Sequence, residues 1–263
     1  MNSQKPNQPH WQLPIGVTRG TMDYVESTAI ADDYDEYFAF SELFQFDEDI
    51  VHRYIPAQGL VADFGCGTGR ALIPLVQRGN SGLAVDLSEE MLRVVEEKAE
   101  LDQLDIQCQL ANLVDLSELA TNGIDHAICL FSTLGMIHGA ENRQMFLQHV
   151  KRVIKPTGRF VLHIHNFWSN LTDPNGTSWV IGHLWRSKVL GKMERGDKYY
   201  PYRGIPNFFL HLFSRKEIVT ALKQAGLNVV KVIPLSTSRQ CELSYKWWFP
   251  GIRAGGWIII CEA

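Results

Sequence analysis

Residues Val61–Arg70 read VADFGCGTGR. Three glycines at alternate positions, Gly65, Gly67 and Gly69, follow a short apolar run and precede a helix-like one. Glycine reaches positive φ and lets a backbone approach a ligand closely. Two carboxylates flank this turn: Asp63 two residues before Gly65, and Asp86 21 residues after it, at the end of the next apolar run. A carboxylate so placed can accept hydrogen bonds from both hydroxyls of a ribose, which fits NAD or S-adenosylmethionine (SAM). The dinucleotide fingerprint is G-x-G-x-x-G, opening onto a helix N-terminus that takes a pyrophosphate. Here the spacing is G-x-G-x-G, and Asp63 would repel a pyrophosphate. It suits an ammonium, and SAM carries both an ammonium and a sulfonium, so the electrostatics favour SAM.

Other residues could act on a second molecule. His163 and His165 alternate along the apolar run RFVLHIH and share one face. His165 is nearer its carboxyl end, where open α/β sheets bind ligands, and Asn166 follows it. Tyr199, Tyr202 and Arg203 lie in a segment rich in Gly, Pro, Trp, Tyr and Arg. An arginine there suits a planar carboxylate or phosphate. Cys66 has no activating neighbour in sequence and is expected to be a small buried part of the turn.

These residues need a scaffold. Leu60–Phe64, Gly82–Asp86, Asp105–Leu110, Asp125–Phe131 and Arg159–His165 read as strands. Helical patterns at Thr68–Arg78, from Ser88 onward and at Glu141–Ile154 alternate with them. Such alternation implies a parallel sheet with helices on both faces. Residues 20–55 read as helical, with mixed acidic and aromatic residues. The stretch 166–212 has no clear period and is too long for an ordinary connection, so it is expected to be a substrate lid. Ser214 and Glu217 form a capping box for helix Arg215–Ala225, stopped by Gly226. Val229–Ile233 and Trp257–Cys261 are expected to pair antiparallel at one edge. The fold class is therefore a doubly wound α/β sheet, one domain over residues 17–263, preceded by a mobile tail over 1–16.

The chain has 263 residues and a net charge of -4, which argues against an extended nucleic-acid footprint. No apolar run is long enough for a membrane span. The five scattered cysteines form no CxxC, so neither a disulfide framework nor a metal site is expected, and a cytoplasmic setting follows.

The sequence resembles the class I SAM-dependent methyltransferases. VADFGCGTG is similar to that family's first motif and AVDLSEEML to its second, acidic one. The resemblance implies seven strands, six parallel and one reversed, and SAM as cofactor. It implies that Asp63, Gly65 and Gly67, with Cys66 and Gly69 in the same turn, face the methionine part. Asp86 would hold the ribose, with Leu87 and Met91 beside the adenine. In QLANLVDL, Asn112 stands where the family often has an acidic residue reading the adenine amino group, and Leu113 offers its backbone N–H. In CLFSTLGMIH, Leu130 and Phe131 would lie under the sulfonium, with Ser132 and Thr133 on the substrate side. His138 falls where the family often places polar substrate contacts, and either His165 or His138 could serve as a base. The N-terminal segment, with Arg19, Tyr24, Tyr34 and Tyr37, corresponds to one that commonly covers the cofactor. The acceptor is expected to be a small molecule. A wobble-uridine carboxymethyl group of tRNA, a dehydrogenase on the same sheet and a non-catalytic SAM-binding domain are the alternatives. No oligomeric state follows.

Overall fold

The structure, a computed structural model, describes residues 12–38, 42–191 and 193–263. Strands β1 (Leu60–Phe64), β2 (Ser81–Asp86), β3 (Ile106–Leu110), β4 (Ile124–Cys129), β5 (Ile154–His165), β8 (Asn228–Pro234) and β9 (Gly256–Glu262) build one sheet. Strands β6 (Asp197–Tyr202) and β7 (Ile205–His211) form a separate hairpin. The sheet order is β3-β2-β1-β4-β5-β9-β8, and β9 alone runs antiparallel to its neighbours. The doubly wound, seven-stranded, mostly parallel sheet is thus as expected. Alternate side chains of each strand feed opposite faces: Ala62 and Phe64 pack against Phe146, Leu147 and Val150, while Val61 packs against Leu72, Leu75 and Ile50. The order of strands reverses between β1 and β4, so their carboxyl ends open a crevice there.

Two elements differ from expectation. The helix after β1 spans Leu72–Gln77 rather than Thr68–Arg78, because Gly67 (φ +53°) and Gly69 (φ +76°) hold the preceding turn outside the helical region. Pro74 consequently falls in the first helical turn, where no N–H is needed. β5 begins at Ile154 and continues through Lys155–Gly158, with a register irregularity against β4 between Ile124 and His126.

The insertion is more ordered than its sequence suggests. It holds a 3-10 turn (Phe167–Thr172), a helix (Gly176–Trp185), a π turn (Arg186–Leu190) and the β6–β7 hairpin. Apolar residues lie all around the helix, Val180 buried and Ile181 and Trp185 exposed, which erases the 3.6-residue signal. Buried charges tie this cap to the body. Arg143, on helix Ala140–Val153, pairs with Glu194, and His211 lies between Asp197 (2.8 Å) and Glu217 (2.7 Å). Burial alone would lower the His211 pKa, but the bonds to Asp197 and Glu217 outweigh it and the pKa is raised. Glu194, Asp197 and His211 come close enough for a metal, yet Arg143 and Glu217 already engage them.

The N-terminal helices form the other half of the roof. Ser88 caps helix Glu89–Asp102 and donates to the Val25 carbonyl at 2.7 Å. Thr68 donates to Asp35 at 2.6 Å, and Tyr24 stacks edge-on against Phe208 at 5.4 Å. Of the expected tail, residues 1–11 lie outside the described residues. Ile15 and Gly16 belong to the body: their carbonyls accept from Asn112 Nδ2 (2.9 Å) and the His138 amide (2.8 Å).

Gly20 is where helix Arg19–Val25 meets the hairpin. A Cβ there would stand 2.0 Å from the Asn207 carbonyl oxygen, a backbone atom that cannot turn aside. Gly20→Ala is expected to cost about 2 kcal/mol of stability, in the range of core overpacking. It should also speed proteolysis of the cap, and unchanged melting and digestion would show that the contact yields freely.

Candidate functional site

The crevice at the β1/β4 switch is a cavity of about 560 Å³, within the usual size range of small-molecule sites. Its floor is the glycine turn. The amides of Gly65 and Cys66 both reach the Val85 carbonyl, binding the turn to β2. A Cβ on Gly65 (φ +80°) would stand 2.3 Å from the Thr133 methyl, whereas the space in front of Gly67 is open. The chain therefore exposes its backbone to the cavity at Gly67. Gly69 does not line the cavity as expected. Its role is close packing, since a Cβ there would press on Val95 at 3.1 Å.

Asp86 organises this floor. Its Oδ2 accepts from the Gly67 amide and its Oδ1 from the Ser88 amide, both at 2.9 Å. Burial raises its pKa, opposed by the bonds from Ser88, Gly67 and Leu87. These donors leave part of the carboxylate's acceptor capacity for a further one. Asp63 is 3 % exposed; burial, against the nearby Arg70 charge and with Asp86, pushes its pKa up to about 7. Cys66 is buried beside these carboxylates, and burial pushes its thiol well up, as suits a packing residue rather than a nucleophile. Leu87, Met91, Asn112 and Leu113 form an adjoining, mostly apolar wall. The Asn112 amide is partly committed, its Oδ1 accepting from Val114 N at 3.1 Å.

At the end of β4 the chain takes two successive left-handed residues, Phe131 (φ +56°) and Ser132 (φ +65°), a conformation that costs of order 1–3 kcal/mol per residue. It presents Leu130 and the Phe131 ring to the cavity, with the ring 6.0 Å from the Arg70 guanidinium and 6.4 Å from His165. Ser132 turns the other way. It is fully buried, its amide donating to the His163 carbonyl and its Oγ accepting from the His165 amide at 3.3 Å, so it joins β4 to β5 rather than facing a substrate.

His165 lines the cavity, with Nε2 buried and without a hydrogen-bond partner. Burial first, then the charges of Arg239 and His163, hold its pKa well below the ordinary histidine range. His163 lies deeper, paired with Asp47 at 2.7 Å. The other histidine expectation is corrected. His138 is exposed, packs on the Phe209 ring at 5.0 Å and does not line the cavity, although its amide donates to Gly16, which does.

The expected substrate residues divide similarly. Tyr34 and Tyr202 line the cavity. Asn166 is fully buried, donating to the Gly251 and Ala254 carbonyls and accepting from the Trp168 amide, so it locks the start of the cap. Tyr199 is 49 % exposed: alternation along β6 puts Lys198, Tyr200 and Tyr202 on the cavity side and Tyr199 on the other. Arg203, in the hairpin turn, pairs with Asp33 and stacks over Tyr37 at 4.4 Å, clamping the hairpin to the N-terminal helices. Arg19, at the start of helix Arg19–Val25, is absent from the cavity wall. Lining residues to which the sequence reading gave no role include Arg70, although it closes the glycine stretch, and Asn170, Lys198, Tyr200 and Arg239. Alternation with Tyr202 would have found Lys198 and Tyr200. Nothing in the sequence marks Arg239, which reaches the cavity from the loop between β8 and β9.

Residues 61–158, which span the glycine turn, both carboxylates and strands β1 to β4, match the family model of a methyltransferase domain. This region is a class I SAM-dependent methyltransferase domain. An uncharacterized protein of Methanocaldococcus jannaschii is 24% identical over 217 residues, covering 80% of this methyltransferase and 77% of the relative. A putative methyltransferase of Bacillus subtilis is 27% identical over 135 residues, covering 51% of this chain and 53% of its own length. Among solved structures, a SAM-dependent methyltransferase of Methanosarcina mazei superposes with a TM-score of 0.63 at 21% identity, over 81% of this chain and 96% of that one. The 1,6-didemethyltoxoflavin-N1-methyltransferase of Burkholderia thailandensis, with that compound and S-adenosylhomocysteine bound, gives 0.62 at 15% identity over 92% and 85%. SAM is accordingly the cofactor of this methyltransferase. Among the described residues no helix is long and apolar enough to cross a membrane.

Proposed function

We propose that this methyltransferase acts on a small molecule held between the glycine turn and the cap. The observation that carries this reading is the continuity of the cavity. One space is lined by Asp63, Gly67 and Asp86 on the body and by Asn170, Tyr200 and Leu210 on the insertion, beneath Thr21 and Tyr24 of the N-terminal helices. The bound small molecule of the Burkholderia relative is consistent with it.

The residues fit the cofactor. Asp86, with acceptor capacity remaining, would hold the ribose hydroxyls, and Leu87, Met91 and Leu113 would enclose the adenine beside Asn112. Asp63 would meet the ammonium, which also removes the penalty of its buried negative charge. Arg70, within electrostatic reach of Asp63, would meet the methionine carboxylate. SAM supplies an electrophilic methyl group on a positive sulfur. Leu130 and Phe131 would shape the passage to the acceptor, whose in-line placement is the main catalytic contribution. His165 stays neutral at physiological pH and has Nε2 available, so it can take a proton from an amine or hydroxyl acceptor.

The test is transfer from methyl-labelled SAM into a small-molecule extract and, separately, into bulk tRNA. Label in the low-mass fraction is expected; label in RNA overturns the reading. With the acceptor in hand, His165→Gln is expected to lower kcat by about a hundredfold or more, the usual scale of a lost general base. His138→Ala should leave kcat within about twofold, because a solvated side chain outside the cavity contributes little. Equal effects of the two changes would remove His165 from the role of base.

A further inference from the structure

The cavity has a second cationic end that the cofactor does not account for. Arg239 enters from the β8–β9 loop with a left-handed backbone (φ +64°) and lines the wall that holds His165 and Tyr200. Its Nε is buried without a hydrogen-bond partner, and among the described residues no hydrogen bond or ion pair ends on its guanidinium. Burying a cation without hydrogen bonds is costly, and burial does lower its pKa, opposed by Tyr200, Asp47 and Asp173. Lys198, on the same wall, differs: its ammonium donates to Asn170 at 2.6 Å and pairs with Asp173 at 3.5 Å.

The two arginines of the cavity share one neighbour, the buried Asp47, and otherwise differ in company. Arg70 stands by the glycine turn, within reach of Asp63, Tyr34 and Asp35; Arg239 stands within reach of Tyr200 and Asp173 and acts on His165. The Phe131 ring lies 6.0 Å from the Arg70 guanidinium and 6.4 Å from the His165 ring. SAM has one carboxylate, and its ammonium belongs beside Asp63, so that carboxylate is used at the Arg70 end.

We infer that Arg239 is the anion-binding residue of the acceptor subsite, and that the acceptor carries a carboxylate or phosphate on an apolar or aromatic body. This rests on the small-molecule reading above. A guanidinium offers a planar fork that matches either anion with two hydrogen bonds. Tyr200, Leu210 and Leu212 supply the apolar surface for the body. Anchored by Arg239, the molecule presents its nucleophile beside the neutral His165. The guanidinium thereby sets orientation as well as affinity.

Calorimetry on the intact protein tests this in two stages. S-adenosylhomocysteine is titrated first, into wild type, Arg239→Gln and Arg239→Lys. Benzoate, phenyl phosphate and the uncharged benzamide are then titrated into each saturated protein. The expected result is an anion preference of at least tenfold over benzamide in wild type. It should vanish in Arg239→Gln and partly return in Arg239→Lys, with S-adenosylhomocysteine affinity within twofold throughout and melting temperatures recorded for all three. Which anion binds better identifies the headgroup. Equal binding of benzamide, a preference that survives in Arg239→Gln, or no anion binding overturns the assignment. So does a loss of S-adenosylhomocysteine affinity in Arg239→Gln, which would place Arg239 at the donor end. Failure of wild type to bind S-adenosylhomocysteine refutes the donor-site reading alone, and the anion series is then run on the protein by itself.

Discussion

Asp86→Ala is expected to weaken SAM binding about a hundredfold or more, because two charge-assisted hydrogen bonds at about 1.5–3 kcal/mol each would be lost. The same change removes the acceptor for the Gly67 and Ser88 amides, so the glycine turn should loosen and the ligand-free protein should melt earlier. Asp86→Asn separates the two effects. Its single carbonyl oxygen can still serve one amide, while its NH2 cannot accept from a ribose hydroxyl. Turn stability should therefore recover in part, and affinity should not. Calorimetric titration with SAM, alongside thermal melting, reads both quantities. Binding by Asp86→Ala within about fivefold of wild type would show that the ribose contacts lie elsewhere.

Asp63 is expected to behave in the opposite sense toward stability. Its folded pKa of about 7 lies above the ordinary 3.8, so between those values the folded chain binds the extra proton. Stability from this group is therefore present at low pH and is lost as pH rises toward 7. Above pH 7 the buried charge persists as a penalty of about 4 kcal/mol, at about 1.4 kcal/mol per pKa unit. Asp63→Asn should remove it, raising the melting temperature of the ligand-free protein at pH 8 by several degrees while weakening SAM binding. At pH 4 the two proteins should melt alike.

The same titration governs affinity. An ammonium ligand needs the carboxylate, so SAM affinity of wild type should fall as pH drops. With a pKa near 7, the ionised fraction falls about eightfold between pH 7.5 and 6, and affinity should follow. The range stops at 7.5 because an α-amino group itself loses its proton at about pH 7.7–8.0. Asp63→Asn should flatten the dependence. A pH-independent wild type, or a variant that melts no higher at pH 8, would remove Asp63 from the ammonium site.

How far the sequence alone reached follows from the range of the interactions involved. The sheet, its single reversed strand and the cofactor end of the cavity depend on local patterns: apolar runs, a glycine turn whose φ values only glycine adopts freely, and a carboxylate at each of two strand ends. Gly65, Gly67, Asp63 and Asp86 could be read because turn, strand end and charge lie close together along the chain. The acceptor end could not. Tyr199 and Arg203 have the same composition signal as Tyr200 and Lys198, and alternation separates them only once β6 is known to be a strand with Tyr202 on the cavity side. Asn166 and His138 sit beside wall residues in sequence, but the carbonyls of residues 251 and 254 capture the first, and the second lies exposed against the Phe209 ring. Arg239 comes from a loop more than seventy residues beyond His165, and the antiparallel packing of β9 between β5 and β8 brings the two to one cavity. Local sequence determined the end of the cavity proposed for the methyl donor; long-range packing, which no local pattern encodes, decided what stands opposite it.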